Sequence, residues 1–117
     1  MAFTKKAKTF HRETGQRNAL IRSLARSLVL EERISTTEAK AKALRPFAER
    51  LVTYAKTNTL ASRRLAQSRL HDKEAVKKLF DTIGPRYTER TGGYTRIVKR
   101  TKRGFNDARK LAYIAFV

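Results

Sequence analysis

The side chains best able to do chemistry in this chain are lysines and arginines, and their densest run lies near the end of the sequence. Between positions 96 and 110 seven basic side chains face a single carboxylate, that of Asp107. Such a run repels itself in water but collects phosphates on a nucleic acid, and the counterions released make affinity fall steeply with salt. The seven are Arg96, Lys99, Arg100, Lys102, Arg103, Arg109 and Lys110.

Aromatic residues are interleaved with this charge. Tyr87, Tyr94 and Phe105 could stack on unpaired bases, which is how many proteins recognise single-stranded RNA. For each of these rings, packing against a sheet is an equally well supported alternative to stacking on a base.

Groups that could support catalysis or bind a metal are few. His11 and His71 are the only histidines, neither has a recognisable metal-ligand spacing, and the chain contains no cysteine. Glu31 and Glu32 are adjacent and project in different directions, so they do not form an acid–base pair. The sequence therefore predicts no enzyme, no metal site and no cofactor. Most other carboxylates are expected in solvated helix pairs: Glu38 with Lys42, Glu49 with Arg45, and Glu74 with Lys77 and Lys78.

Apolar residues at spacings of three and four predict the helices that position these groups. The first is expected over residues 15–31 behind a Thr14 cap, and the second from a Thr37 cap to about residue 56. Pro46 falls inside the second helix, but the apolar phase continues across it, which predicts a kink and not two helices. The apolar stripes are Leu20, Ile21, Leu24 and Leu28 in the first helix, and Ala41, Leu44, Ala48, Leu51 and Ala55 in the second.

Two further helices follow. Asn58 or Thr59 begins the third, which reaches about residue 70, and Asp72 caps the fourth. The pair Gly84-Pro85 is expected to end the fourth helix. Its apolar stripe is Val76, Leu79, Phe80 and Ile83.

Strands are expected at residues 33–36, 94–100 and 111–117, with a basic turn at 101–110 joining the last two. Gly92-Gly93 lacks the spacing of a nucleotide-binding loop and indicates a tight entry into the second strand. The last strand is apolar on both faces, so we expect it to be buried or central. The order α-β-α-α-α-β-β predicts a two-layer α/β fold, with helices packed on a small mixed sheet.

Bulk composition narrows the function class. The chain has 117 residues and a formal net charge of +18, with a sequence pI of about 11.2. A charge of this size exceeds what solubility needs and indicates a polyanionic partner. No apolar run approaches a membrane span, and the absence of cysteine is consistent with a reducing, cytoplasmic compartment.

Charge and periodicity together divide the chain into a basic N-terminal arm, residues 1–13, and a single α/β domain, residues 14–117. The arm, several helix faces and the C-terminal basic run are expected to contact RNA. The candidate RNA-binding residues are Lys5, Lys6, Lys8, Arg12, Arg17, Arg22, Arg26, Lys40, Lys42, Arg63, Arg64, Tyr94, Arg96, Lys99, Arg100, Lys102 and Arg103.

Several motifs, taken in order, resemble bacterial large-subunit ribosomal protein seventeen. The segment Ile34-Ser35-Thr36-Thr37 followed by 40–45 (KAKALR) is similar to that family's Ile-x-Thr-Thr-x-x-Lys-Ala-Lys-x-Leu-Arg signature. Other segments similar to the family are 51–56 (LVTYAK), 63–66 (RRLA), 78–80 (KLF), 84–87 (GPRY), 90–97 (RTGGYTRI) and 112–114 (AYI). The similarity extends over about residues 8–117.

The resemblance implies a structural role in the bacterial large ribosomal subunit. It implies binding to large-subunit ribosomal RNA near the outer end of the peptide exit tunnel, with other ribosomal proteins as neighbours. The resemblance also implies that four residues lie at positions which, in the family, are close to RNA or shape the surface that docks on it. These are Lys40, Lys42, Tyr94 and Arg96. The start of the chain and Pro46 depart from the family pattern, and the 101–110 loop varies within it.

Two other function classes compete with this interpretation. A DNA-binding or nucleoid-type protein would have similar charge, but it needs a helix offered to the major groove or a dimer with fixed half-site spacing. An RNA-modifying enzyme needs a cofactor loop and a catalytic constellation, and the sequence has neither. Basic residues spread over the arm, several helices and a loop suit an irregular RNA surface better.

Overall fold

The computed structural model describes residues 14–103 and 110–117, with side chains for 14–100 and 110–117. The predicted arm, with Lys5, Lys6, Lys8 and Arg12, lies outside the described residues. So do Phe105 and most of the predicted 101–110 turn, and the side chains of Lys102 and Arg103. The elements run α1 (Thr14–Glu31), β1 (Arg33–Thr37), α2 (Glu38–Thr57), α3 (Leu60–Leu70), α4 (Lys73–Lys78), a π-helical segment (Leu79–Ile83), α5 (Gly84–Arg86), β2 (Thr95–Arg103) and β3 (Lys110–Phe116). This is the predicted element order.

Side-chain caps fix where three of the helices begin. The Thr37 hydroxyl accepts a hydrogen bond from the Lys40 amide at the start of α2, as predicted. Thr59 and Ser62 form a reciprocal capping box at the start of α3, and Asp72 caps α4 through the amides of Glu74 and Ala75. These caps satisfy amides that have no partner inside the helix.

Helix α2 runs unbroken through Pro46 from Glu38 to Thr57, which confirms one helix and not two. The five predicted apolar positions of α2 are all buried, and Val52 is buried beside them. The stripe predicted for α1 is less accurate. Leu28 is buried, but Leu20, Ile21 and Leu24 are only half-buried, while Ala25 and Val29 fill the core.

The predicted end of the fourth helix at Gly84-Pro85 is wrong. The helix passes through the π-helical segment and continues to Arg86, with Gly84 in right-handed helical geometry at φ −55°. Gly84 serves close packing: a Cβ there would lie 2.8 Å from the Cβ of Ala55 on α2. Pro85 lies one residue from the end of this helix, so the backbone hydrogen bond that it cannot donate is one of the last in the helix.

The sheet is antiparallel throughout, which corrects the prediction of a mixed sheet. Strand β3 pairs antiparallel with both β1 and β2 in the order β1-β3-β2, so the apolar last strand is central, as predicted. Because β3 returns between the other two, β1 and β2 run the same way without touching each other. Strand β2 extends to Arg103, three residues further than predicted.

One face of the sheet packs on the helices. Alternation along the strands directs Ala112 and Ile114 of β3 into the core, with Ile34 and Ile97 packed against it from the neighbouring strands. The predicted stripe of the fourth helix, Val76, Leu79, Phe80 and Ile83, is buried in the same core. The opposite face of the sheet carries the alternate residues.

Candidate nucleic-acid interface

Basic side chains of the described residues divide into those held by carboxylates and those that are not. The ion pairs of Glu38 with Lys42 (2.9 Å) and of Glu49 with Arg45 (3.5 Å) form as predicted. The predicted pairing of Glu74 does not form. Lys78 instead lies 3.4 Å from Glu32 and donates to the Leu30 carbonyl, because its side chain reaches across to the end of α1.

Among the described carboxylates, Glu32 and Glu38 each pair with two cations. Hydrogen bonding to Arg86, aided by the charges of Arg86 and Lys78, lowers the pKa of Glu32. Hydrogen bonding to Lys42, with help from Lys99 at 3.5 Å, lowers the pKa of Glu38. Both groups therefore remain ionised and neutralise part of the surrounding positive charge.

The first cationic surface is a groove between α1 and α2, called here the helix groove. Its volume is about 600 Å³, and Ile21, Phe47 and two alanines give it an apolar lining. Four basic residues surround it: Arg17, Arg22, Lys42 and Arg69. Arg22 donates through Nε to the Arg69 carbonyl at 3.3 Å, which ties α1 to the end of α3. Three of the four are among the candidate RNA-binding residues, and Arg69 is not.

The second cationic surface is the face of the sheet turned away from the helices, called here the open face. Strand register places Arg33 and Arg96 on either side of Ala115, and Val98 and Ser35 on either side of Tyr113. The guanidinium carbons of Arg33 and Arg100 lie 4.0 and 5.0 Å from the centre of the Tyr113 ring. Arg96 and Arg100 were predicted, whereas Arg33 and Tyr113 were missed.

Tyr94 does not offer a stacking surface. Both Tyr87 and Tyr94 are buried, with ring centres 5.3 Å apart, so the packing alternative is confirmed for these two rings. The Tyr94 hydroxyl donates to the Arg90 carbonyl and accepts from Lys56 at 2.8 Å, while Tyr87 bonds to the Val117 carbonyl. Tyr94 therefore shapes the start of β2 and does not contact a base through its ring.

The remaining candidates lie apart from both surfaces. Arg63 sits 3.7 Å from Asp81 and over the Phe80 ring, so it is engaged within the protein. Lys99 points to the helix side of β2 and pairs with Glu38. Arg26 and Lys40 are half-buried on α1 and α2, and Arg64 is exposed on α3.

Within residues 14–103 and 110–117, no group of histidine and carboxylate side chains is arranged to hold a metal ion. No helix in the described part of the chain is both long and apolar enough to cross a membrane.

Fold and charge define a basic α/β protein of the nucleic-acid-binding type, with cations exposed on two separate faces. The sequence model of the family described as "Ribosomal protein L17" matches residues 20–117. The chain therefore belongs to the ribosomal protein L17 family.

Individual relatives are similar to this chain over nearly the full length of both sequences. The chain is 59% identical to "Large ribosomal subunit protein bL17" of Hydrogenobaculum sp., over 96% of this chain and 95% of the relative. It is 50% identical to the protein of the same name from Sulfurihydrogenibium sp., over 96% and 93% of the two chains. The protein of that name from Gemmatimonas aurantiaca is 47% identical over 100% and 98%.

Proposed function

We propose that this chain is a structural constituent of the bacterial large ribosomal subunit, where it binds and stabilises folded large-subunit ribosomal RNA. The proposal places it in the cytoplasm, on the ribosome, with neighbouring ribosomal proteins as further partners. Family membership supports a structural and not an enzymatic role. The resemblance in sequence supports a position near the outer end of the peptide exit tunnel.

The observation that carries the proposal is the surplus of cations on two faces of the protein. A net charge of +18 on 117 residues opposes compaction unless an anion neutralises it. The helix groove and the open face belong to different layers of the fold, so one RNA strand on one side would leave the other surface uncovered. Folded RNA can surround the protein and reach both.

The domain organisation is part of the same proposal. Residues 14–117 act as a single body that docks by shape and charge, and residues 1–13 act as an extended basic arm that follows the RNA. The arm contributes Lys5, Lys6, Lys8 and Arg12 to phosphate neutralisation.

Sedimentation of lysate from a tagged strain, through sucrose gradients at low and then high salt, tests the proposal. We expect about one copy per large subunit, retained through a wash that strips loosely bound basic proteins. Recovery with DNA, or at the top of the gradient after modest salt, would instead favour a DNA-binding or nucleoid-type protein.

A further inference from the structure

The open face of the sheet has the composition of a nucleotide site. It bears a concavity of about 410 Å³, whose lining includes Arg33, Arg96, Val98, Tyr113 and Ala115. Val98 is 51% exposed, which is unusual for a β-branched residue at the middle of a strand. Apolar and aromatic surface lies at the centre, and guanidinium groups lie at the edges.

No described carboxylate side chain neutralises the charge of this face. Alternation places nine described residues on it, and none of them has a carboxylate side chain: Arg33, Ser35, Thr37, Arg96, Val98, Arg100, Leu111, Tyr113 and Ala115. No ion pair forms to Arg33, Arg96 or Arg100 among the described side chains. Three guanidinium groups thus share one face without a counter-charge from the described side chains, which favours an anion there.

Two of these arginines are held by an aromatic ring instead. Arg33 lies 4.0 Å from the Tyr113 ring centre and Arg100 lies 5.0 Å from it. Arg100 also donates to the Ser35 hydroxyl at 3.1 Å. A cation–π contact orders a guanidinium without cancelling its charge, so its N–H groups remain able to bind a phosphate.

We propose that the open face binds one unstacked nucleotide of the RNA. Its base lies on Val98 and Ala115 beside the Tyr113 side chain, whose ring already lies against Arg33 and Arg100. Its flanking phosphates meet Arg33 and Arg96. Arg100 is a positioning residue, because its contacts with Ser35 and Tyr113 hold the ring in place. RNA is favoured over an acidic protein segment because the site pairs an apolar floor with guanidinium edges, matching a base and its phosphates.

This inference rests on the proposed function. Two double variants with the same change in net charge distinguish failure of the nucleotide site from failure of the proposed function. R33E/R96E reverses both edge charges of the site, and K73E/K77E makes the same net change at two exposed lysines of α4. Binding to a large-subunit ribosomal RNA transcript is measured at several salt concentrations, with the melting temperature as a check on folding.

We expect R33E/R96E to weaken binding at least about tenfold more than K73E/K77E. The slope of log affinity against log salt should shrink by about 1.4 to 1.8, the change expected when two phosphates are no longer neutralised. Equal weakening by the two variants would overturn the nucleotide site and leave the proposed function intact. Failure of the unaltered chain to bind the transcript would overturn both.

The base contact has its own readout, because the chain contains no tryptophan. Tyr113→Trp puts the only indole on the open face, and Tyr54→Trp puts one on α2 as a control. We expect a single-stranded oligoadenylate of about eight nucleotides to quench the fluorescence of the first variant and not of the second. Equal quenching, or none, would contradict a base contact at this site.

Discussion

The helix groove and the open face carry similar numbers of cations, but the protein holds those cations differently. In the groove, Lys42 is neutralised by Glu38 and Arg22 donates to a backbone carbonyl. On the open face, Arg33 and Arg100 lie against Tyr113, and no carboxylate approaches them among the described side chains. A carboxylate orders a cation and cancels its charge, whereas an aromatic ring orders it and leaves the charge available. We therefore expect the open face, with three basic residues, to bind phosphate more strongly than the helix groove, which has four.

Both surfaces rest on one core, so removing core volume should damage them equally. Leu79 is fully buried in the π-helical segment. Leu79→Ala should cost about 2–5 kcal/mol of unfolding free energy, measured by denaturant melting, because a cavity remains where the side chain packed. A cost near zero would mean that this segment is not packed as described.

Reversing the charge at the C-terminal end of β2 should weaken RNA binding. We expect the triple change of Arg100, Lys102 and Arg103 to glutamate to lower affinity for the ribosomal RNA transcript. It should also reduce the salt slope by about one unit for each phosphate that is no longer neutralised. Unchanged affinity and slope would remove this end of the strand from the interface.

Removing a neutralising carboxylate should strengthen RNA binding. Glu38→Gln frees Lys42 and Lys99 from their ion pairs, so both can contact phosphates. We expect a gain in affinity of about two- to tenfold and a steeper salt slope, measured by filter binding. Glu31→Gln, at an exposed glutamate without an ion pair among the described side chains, changes net charge equally and should give a smaller gain. Equal gains would mean that pairing does not decide which cations bind RNA.

Acid should weaken the fold through Glu32, which lies away from both surfaces. Arg86 lowers the pKa of Glu32 in the folded protein below its ordinary value of 4.5. The stabilisation is therefore complete above that value and is lost as pH falls through the lower, folded pKa. Glu32→Gln should show a smaller drop in melting temperature between pH 6 and pH 3 than the unaltered chain. An identical acid response in both proteins would contradict the assignment.

Local signals predicted the helices well. Helix caps and apolar spacing act within one or two turns of a helix, so they can be recognised in the sequence itself. The caps are Thr37, Thr59 and Asp72, and the apolar spacing is clearest along α2 and the fourth helix. The continuation past Gly84 was missed because its cause, the close approach to Ala55, is a contact between distant parts of the chain. The sheet direction was also missed, because the return of β3 between its neighbours is set by tertiary packing.

The same division holds for the candidate site. Arg17, Arg22 and Lys42 are candidates from the sequence that do border one groove. The open face was missed because Arg33, Arg100 and Tyr113 come from three strands and meet only through strand register. Tyr94 lies among basic residues in the sequence, where base stacking and packing carried equal weight, and its ring is buried. Nearness to basic residues in the sequence does not show whether a ring is exposed, because burial is set by tertiary packing.

Ultraviolet crosslinking of purified large subunits, followed by mass spectrometry of the peptides of this chain, tests the central claim most directly. We predict a nucleotide adduct on the β3 peptide at Tyr113, stronger than any adduct on the peptides that form the helix groove. Adducts confined to α1 and α2, with none on β3, would contradict the claim that the open face of the sheet holds the RNA.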